Sequence, residues 1–247
     1  MKLYHYTTFT NFCSIWIQKK IMFSEWMKCN DVYERAKTLR ISQSSTVYKN
    51  KTFTAEELND FTKKVFKELK AYKQVSFCTD YDDMKGCLSP MMWGHYARDY
   101  KRSGVCIELD SEKIKPNKEE FIIQPNKVKY DKELLGAHVL GFEIDNEGAE
   151  QEFIFNNQEI LFFRKHPHWK AENEYRYISK DCESLDISDA ITSVYVLGDD
   201  NITLESVSSI VKNPKMISLL CVGGIDGQKL NPINMYDLNE IKKNINT

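Results

Sequence analysis

Apolar side chains recur every three or four residues in several stretches of the chain, the pattern of helices with one buried face. The first such helix follows Thr8 or Thr10, either of which can cap its amino end. A second opens at Thr54–Glu57, a capping box in which a threonine and a glutamate satisfy each other's backbone amides. The same spacing predicts three further helical segments: 148–164, which would be the longest helix, a helix near 203–212, and one or two turns over 91–97.

Short apolar or alternating runs between these helices predict strands. The predicted strands are 3–6, 21–24, 74–78, 104–110, 128–130, 172–178, 194–198 and 218–222. Residues 42–54 are polar and predict a surface loop, and the end of the chain from residue 239 predicts a polar helix. Because nothing repeats and no Pro/Gly/Ser-rich linker divides the chain, we expect one mixed α/β domain over 1–247, with helices inserted between strands.

The strand 172–178 carries the most chemistry. Side chains two residues apart share a face, so Glu172, Glu174, Arg176 and Ile178 would line one side. Two interpretations fit this pattern. In the simpler one, an edge strand carries a surface ion-pair ladder and Arg176 neutralises Glu174. In the other, the two carboxylates serve a functional site.

Composition narrows the class of protein. The chain has 247 residues, 42% hydrophobic and 28% charged, with a formal net charge of -2 that gives no global attraction to nucleic acid or anionic membrane. Its seven scattered cysteines include no C-x-x-C pair and favour a reducing compartment over a disulfide framework or a structural zinc site. No apolar run approaches the roughly 20 residues of a membrane span. We expect a soluble cytoplasmic protein without a signal peptide.

Familiar chemical motifs are few. The sequence has no glycine-rich phosphate loop and no nucleophile elbow. His166 and His168 lack a third ligand at metal-binding spacing, so no metal is predicted. The trio Trp93, His95 and Tyr96 combines aromatic and polar groups in a way that core packing alone does not explain.

Four motifs, taken together, resemble the bacterial domain-of-unknown-function family numbered 2971. They are Leu3–Thr7 with the later 21–24 strand, Asn30-Asp31 and Glu34; Met92–Ala97 leading into the 104–110 strand; Lys165–Arg176; and Val196–Gly198. The family pattern has proline after Asn-Asp, where this chain has Val32.

That family is, more distantly, similar to the ADP-ribosyltransferases. The resemblance implies an α+β fold with a split β-sheet core, and the transfer of ADP-ribose from NAD to a macromolecule or the hydrolysis of NAD. It assigns catalysis to Glu174 on the ribose, Glu172 orienting the acceptor, and His5, with Ser24 bracing the glutamate. The residues that it implies for holding NAD are Tyr6, Thr7, Ser24, Asn30, Asp31, Glu34, Trp93, His95, Tyr96 and Arg176.

The implied chemistry suits these residue types, because a fixed carboxylate stabilises the oxocarbenium-like ribose that forms as nicotinamide leaves. We therefore expect His5, Ser24, Trp93, His95, Tyr96 and Glu174 to converge on one cleft. The acceptor, protein or nucleic acid, stays open; a toxin or anti-phage effector with a neutralising partner protein would fit, and no membrane partner is expected. The alternative is a non-catalytic module of the same fold that binds a nucleotide or nucleic acid.

Overall fold

The computed structural model describes residues 1–29, 31, 47–48, 51–52, 54–82, 84–98, 103–116, 123–131, 147–197, 201–223 and 229–234. The helices of these residues are α1 (Phe9–Gln18), α2 (Ala55–Leu69), α3 (Pro90–Tyr96), α4 (Ala149–Asn156), α5 (Gln158–Phe162) and α6 (Asn201–Val211). The strands are β1 (Lys2–Thr7), β2 (Lys20–Met22), β3 (Ser24–Glu25), β4 (Val47–Tyr48), β5 (Lys51–Thr52), β6 (Lys73–Thr79), β7 (Val105–Asp110), β8 (Lys115–Pro116), β9 (Ile123–Lys127), β10 (Lys129–Tyr130), β11 (Arg164–Lys165), β12 (Glu174–Ser179), β13 (Ser184–Asp186), β14 (Ile191–Leu197), β15 (Ile217–Gly223) and β16 (Lys229–Asn234).

Nine strands form one open mixed sheet, which confirms the predicted mixed α/β class. Its order is β16-β15-β14-β7-β1-β6-β12-β9, with β3 also paired to β6. β14 and β15 run parallel, and the other neighbours are antiparallel. The sheet therefore brings the first strand of the chain beside β6, and β6 beside the late strand β12.

The sheet opens between β1 and β6. Their pairing covers Leu3 with Thr79 and Tyr4 with Cys78 and then stops. Beyond that point β1 stays paired with β7 through Thr7, and β6 stays paired with β12 along its length. The far end of β6 pairs instead with β3, where Ser24 lies opposite Gln74. A gap is left between β1 and β6, bounded on both sides by well-paired strands.

Helix starts follow the predicted caps. The Thr8 side chain accepts a hydrogen bond from the Asn11 backbone amide at the start of α1. At α2, the Glu57 amide donates to Thr54 while the Thr54 amide donates to the Glu57 carboxylate, so both halves of the capping box are formed.

The single long helix expected over 148–164 is wrong. The segment divides into α4 and α5 at Asn157, whose side-chain amide donates to the Phe153 carbonyl at 2.9 Å. That local bond competes with helix continuation, as asparagine often does. The longest described helix is α2, with 15 residues.

Other predicted segments are also adjusted. The 21–24 strand divides between β2, which pairs with β13 in a three-stranded sheet, and β3. The expected 42–54 loop contains the short pair β4–β5, and the predicted helix from residue 239 lies outside the described residues. Within the described part, the helices lack the length and hydrophobicity that crossing a membrane demands.

Candidate functional site

A cavity of about 480 Å³ occupies the gap between β1 and β6. Its wall includes Tyr4–Thr7 from one strand and Gln74–Cys78 from the other. Exposed residues of its wall, among them Asn11, Ser14 and Lys28, open it to solvent. The size and the mixture of aromatic and polar walls are those of a small-molecule site.

Buried charges form part of this wall. Arg176 donates to Glu174 through Nε at 2.6 Å and through Nη2 at 2.8 Å, which is a two-pronged ion pair. Lys165 Nζ lies 3.1 Å from Glu174 and also bonds Glu172. The Tyr96 hydroxyl donates to Glu172 at 2.6 Å. Lys165, Glu172 and Glu174 line the cavity, and Arg176 is fully buried behind them.

Asn173 explains how two carboxylates so close in sequence reach the same cavity from different elements. Its backbone is left-handed, with φ 41 and ψ 57, a conformation that asparagine tolerates better than most residues. Its side-chain amide donates to the Thr79 hydroxyl at 2.6 Å and to the Asp80 carbonyl at 2.7 Å. This residue ends a 3-10 turn, Pro167–Glu172, and starts β12 beside the end of β6, so Glu172 belongs to the turn and Glu174 to the strand.

The two carboxyl groups ionise differently. Burial raises the pKa of Glu172, the charge of Glu174 adds to that effect, and Lys165 opposes it. Burial also disfavours the charged form of Glu174, but the charges of Arg176 and Lys165 outweigh it and hold the pKa of Glu174 far below its usual range. Glu174 is therefore held ionised, whereas Glu172 is protonated more readily than a free glutamate.

His5 approaches the cavity from the other face of the sheet. Tyr4 pairs with Cys78 and Cys78 with Glu174, so these three side chains share one face, and His5, one residue on, points to the opposite face. Both His5 and Glu174 line the cavity because it lies in the gap itself. Burial lowers the pKa of His5 to about 4, against a hydrogen bond with the Ser76 backbone that raises it. The imidazole is thus neutral at neutral pH.

The structure brings seven of the predicted site residues to the cavity wall and leaves others elsewhere. Those that line it are His5, Tyr6, Thr7, Ser24, Tyr96, Glu172 and Glu174. Trp93 is buried in the core and donates through Nε1 to the Cys87 carbonyl at 2.8 Å, and His95 is exposed. Neither is among the lining residues, so the expected convergence holds for four of its six members, namely His5, Ser24, Tyr96 and Glu174.

Two further predicted site residues, Arg176 and Asp31, do not line the cavity. Arg176 does not line the cavity, because its guanidinium is enclosed between Glu174 and the Phe162 carbonyl. Asp31 is buried and is likewise not a lining residue. Asn30 and Glu34 lie outside the described residues.

The surroundings of Glu174 correct two more expectations. The Ser24 hydroxyl donates to the Gln74 carbonyl at 3.2 Å, and the hydroxyl that hydrogen-bonds Glu174 is that of Ser76, directly opposite Arg176 on β6. The predicted ion pair is formed, but β12 is an interior strand between β6 and β9 and the pair is buried, so a surface ladder on an edge strand is wrong.

Sequence reasoning missed Lys165, Ser76 and Tyr130, whose hydroxyl accepts from the Glu174 amide at 2.9 Å. Lys165 could have been found, since it opens the Lys165–Arg176 motif and a buried acid pair needs a cation. Ser76 and Tyr130 carry no such signal, because only strand pairing, of Ser76 with Arg176 and of Tyr130 with Lys165, brings them near Glu174.

Comparison with known proteins gives one family. A family model described as "Protein of unknown function (DUF2971)" matches residues 92–177, which supports the family assignment that the motifs predicted. The matched segment contains Tyr96 and the whole cluster of Lys165, Glu172, Glu174 and Arg176, whereas His5 and Ser24 lie before it. No curated protein and no solved structure gives a significant match.

Proposed function

We propose that the cavity between β1 and β6 binds NAD and that the protein breaks its nicotinamide–ribose bond, either to transfer ADP-ribose to a macromolecule or to hydrolyse NAD. One observation carries the proposal. Two buried carboxylates of different ionisation, Glu172 and Glu174, line a cavity whose wall also includes the neutral imidazole of His5. Pairs of acids whose environments push their pKa values apart are typical of glycosidic bond cleavage.

The reaction balances without a further reagent. The electron pair of the C1′–N1 bond leaves with nicotinamide and neutralises its pyridinium ring, and the ribose becomes an oxocarbenium ion. Glu174, held ionised by Arg176 and Lys165, stabilises that positive charge electrostatically. Water or an acceptor nucleophile then attacks C1′ and gives its proton to Glu172.

Glu172 suits the proton-accepting role because its oxygens are less occupied. It bonds Lys165 through one oxygen and Tyr96 through the other. Glu174 receives three charged hydrogen bonds, two from Arg176 and one from Lys165. A carboxylate offers about four acceptor positions, so Glu172 has more capacity for a nucleophile. The burial that raises its pKa brings it nearer to the operating pH of a general base.

The remaining wall residues would hold the dinucleotide. His5 offers a neutral imidazole to a ribose hydroxyl, and Ser24, exposed at the cavity wall, offers a hydroxyl. The Tyr6 hydroxyl is already bonded to the Gly86 carbonyl at 2.5 Å. Tyr6 therefore contributes its ring, and Tyr96 contributes both a ring and a link to Glu172.

A second candidate follows from the charge balance of the cluster. Two acids and two bases already neutralise one another, and Arg176 occupies an oxygen pair of Glu174. This arrangement favours a non-catalytic module that binds a nucleotide without turning it over. A toxin or anti-phage role with a neutralising partner protein stays a proposal that depends on activity.

Measuring nicotinamide release and NAD binding on the same protein separates the two candidates. If the protein is an enzyme, the wild type should release nicotinamide, and Glu172→Gln should slow that release by about 100- to 10,000-fold, the usual loss when a general base is removed. The affinity of the variant for NAD should stay near normal. Glu108→Gln is a matched control, because Glu108 is also buried and bonded to a tyrosine and a lysine but is not a lining residue. Binding without release supports the module, and absence of both overturns the NAD proposal.

A further inference from the structure

An exposed aromatic and basic surface lies beside the carboxylate cluster. The rings of His95 and Trp169 are 6.4 Å apart between centroids, and the Lys170 ammonium lies 5.8 Å from the Tyr81 ring. Tyr81 is 37% exposed, His95 and Lys170 are exposed, and Trp169 is half-buried. We call these four residues the aromatic–basic surface; three chain segments that are distant in sequence contribute to it.

Two contacts connect this surface to the cavity. Lys165, which bonds both carboxylates, lies 5.2 Å from the centre of the Trp169 ring. His95 packs 6.2 Å from Tyr96, whose hydroxyl reaches Glu172. A group held on the surface is therefore one side chain away from the carboxyl group that we assign to proton transfer.

One stretch of this surface is rich in basic side chains although the whole chain carries -2. The segment Lys165–Lys170 has no acidic residue, and His168 stands exposed beside His166 with 4.4 Å between their rings. On the neighbouring loop, Asp80, which accepts from the Gly86 amide at 2.8 Å, and Asp82 are exposed acids, so the basic character is confined to the Lys165–Lys170 side of the surface. Basic side chains interleaved with aromatic rings favour an anionic ligand with flat faces.

We propose that the aromatic–basic surface binds single-stranded nucleic acid, with a base stacked at His95 and Trp169 and the backbone phosphate at Lys170. Every base has a π-face, so stacking on such rings tolerates any sequence. The further inference that the bound strand accepts ADP-ribose rests on the proposed function. The binding of the strand to this surface does not.

Fluorescence anisotropy with a labelled 12-nucleotide oligothymidine, measured without NAD, tests the binding. The wild type should bind and should weaken as salt rises. His95→Ala and Trp169→Leu should each weaken binding by about five- to 150-fold, the range for loss of one stacking contact. Lys170→Ala should reduce the slope of log affinity against log salt by about 0.7.

The chain offers matched controls. Trp16 and Lys19 form another tryptophan–lysine contact, 3.3 Å from ring to ammonium, on α1. Trp16→Leu and Lys63→Ala, the latter on exposed α2 surface, should leave oligonucleotide affinity unchanged.

No saturable binding by folded wild type, equal binding of a duplex, or equal losses in the controls would overturn the proposal. Trp169→Leu also risks the fold, so His95→Ala and Lys170→Ala, both exposed, decide the result. Oligonucleotide binding without NAD turnover would reject the enzyme and keep this surface.

Discussion

At the scale of single residues, replacing Glu172 or Glu174 by neutral glutamine should cost different amounts of stability, because the two substitutions leave different charged partners unpaired. Glu174→Gln strips Arg176, which is 0% exposed, of its counter-charge. An uncompensated buried charge costs about 3–5 kcal/mol. Glu172→Gln leaves Lys165 paired with Glu174 and Tyr96 with an amide oxygen, so we expect a loss of about 1–2 kcal/mol. Urea unfolding of both variants measures the difference, and equal losses would contradict it.

The contribution of His5 to the stability of the fold should depend on pH. Its pKa is about 4 in the folded chain and about 6.5 when unfolded, so the unfolded chain binds more protons between those values. The contribution of His5 to stability is present at neutral pH and is lost as pH falls from about 6.5 towards 4. Glu172, whose pKa is raised, acts in the opposite direction above about 4.3.

The comparison of wild type with His5→Asn isolates the histidine. Between pH 7 and pH 4 the unfolding free energy of the wild type should fall more steeply than that of the variant. Parallel curves would show that His5 titrates alike in both states. Denaturant unfolding at four pH values gives the answer.

How far the sequence predicted these residues depends on how local their reasons are. The types and order of His5, Glu172 and Glu174 were visible in motifs, and all three line the cavity. Their protonation was not visible, because it depends on Lys165, on Ser76 and on burial. Trp93 and His95 do not line the cavity, for two different reasons. His95 points about 100° away from its neighbour Tyr96 on the helix, and Trp93 is buried with its Nε1 bonded to the Cys87 carbonyl.

At the scale of elements, two glycines near α3 make a matched pair. A Cβ at Gly104 would clash with the backbone oxygens of Thr7 and Ala97, whereas a Cβ at Gly94 would meet nothing within 4 Å. Gly104 also donates to the Ala97 carbonyl at 2.5 Å, where the end of α3 meets β1. We therefore infer that Gly104 lets α3 close against the strand that bounds the cavity.

Alanine substitutions test that inference. Gly94→Ala lies inside a helix and should stabilise the protein by about 0.5–1 kcal/mol. Gly104→Ala should destabilise it by about 1–3 kcal/mol, the usual cost of overpacking, and should weaken NAD binding because Thr7 lines the cavity. Thermal unfolding of the two variants in parallel suffices. A neutral Gly104→Ala would show that β1 and α3 can separate freely.

The elements also show which local signals were sufficient. Both caps, at Thr8 and Thr54, were predicted and formed because each needs only residues within three positions. The break at Asn157 was not predicted, since the apolar spacing continues across it while one side-chain hydrogen bond interrupts the helix. The turn that separates Glu172 from Glu174 depends on Asn173 bonding residues more than 90 positions away.

At the scale of the whole molecule, the position of the cavity depends on where the pairing between β1 and β6 stops. The alternation of side chains within each strand predicts which of them share a face of the sheet. The register that places Cys78 opposite Glu174, and the gap beyond Tyr4, depend instead on pairing between segments that are distant in sequence. Strand type and mixed class were therefore predictable, while the position of the cavity was not. Beyond Tyr4 the facing edges of β1 and β6 are not paired as strands, and the hydrogen bond of His5 with the Ser76 backbone crosses the gap there, so these edges are the part of the sheet that a ligand can change.

If NAD fills the gap, it should slow hydrogen exchange of the backbone amides of residues 5–7 and 75–77, which line the cavity on either side. Amides shared by β14 and β15, which are fully paired elsewhere in the sheet, should exchange at the same rate with and without NAD. At 100 times its dissociation constant, NAD should also stabilise the fold by about 2.7 kcal/mol. Protection confined to other strands, or a thermal transition that NAD does not move, would place the dinucleotide outside this cavity or show that it does not bind.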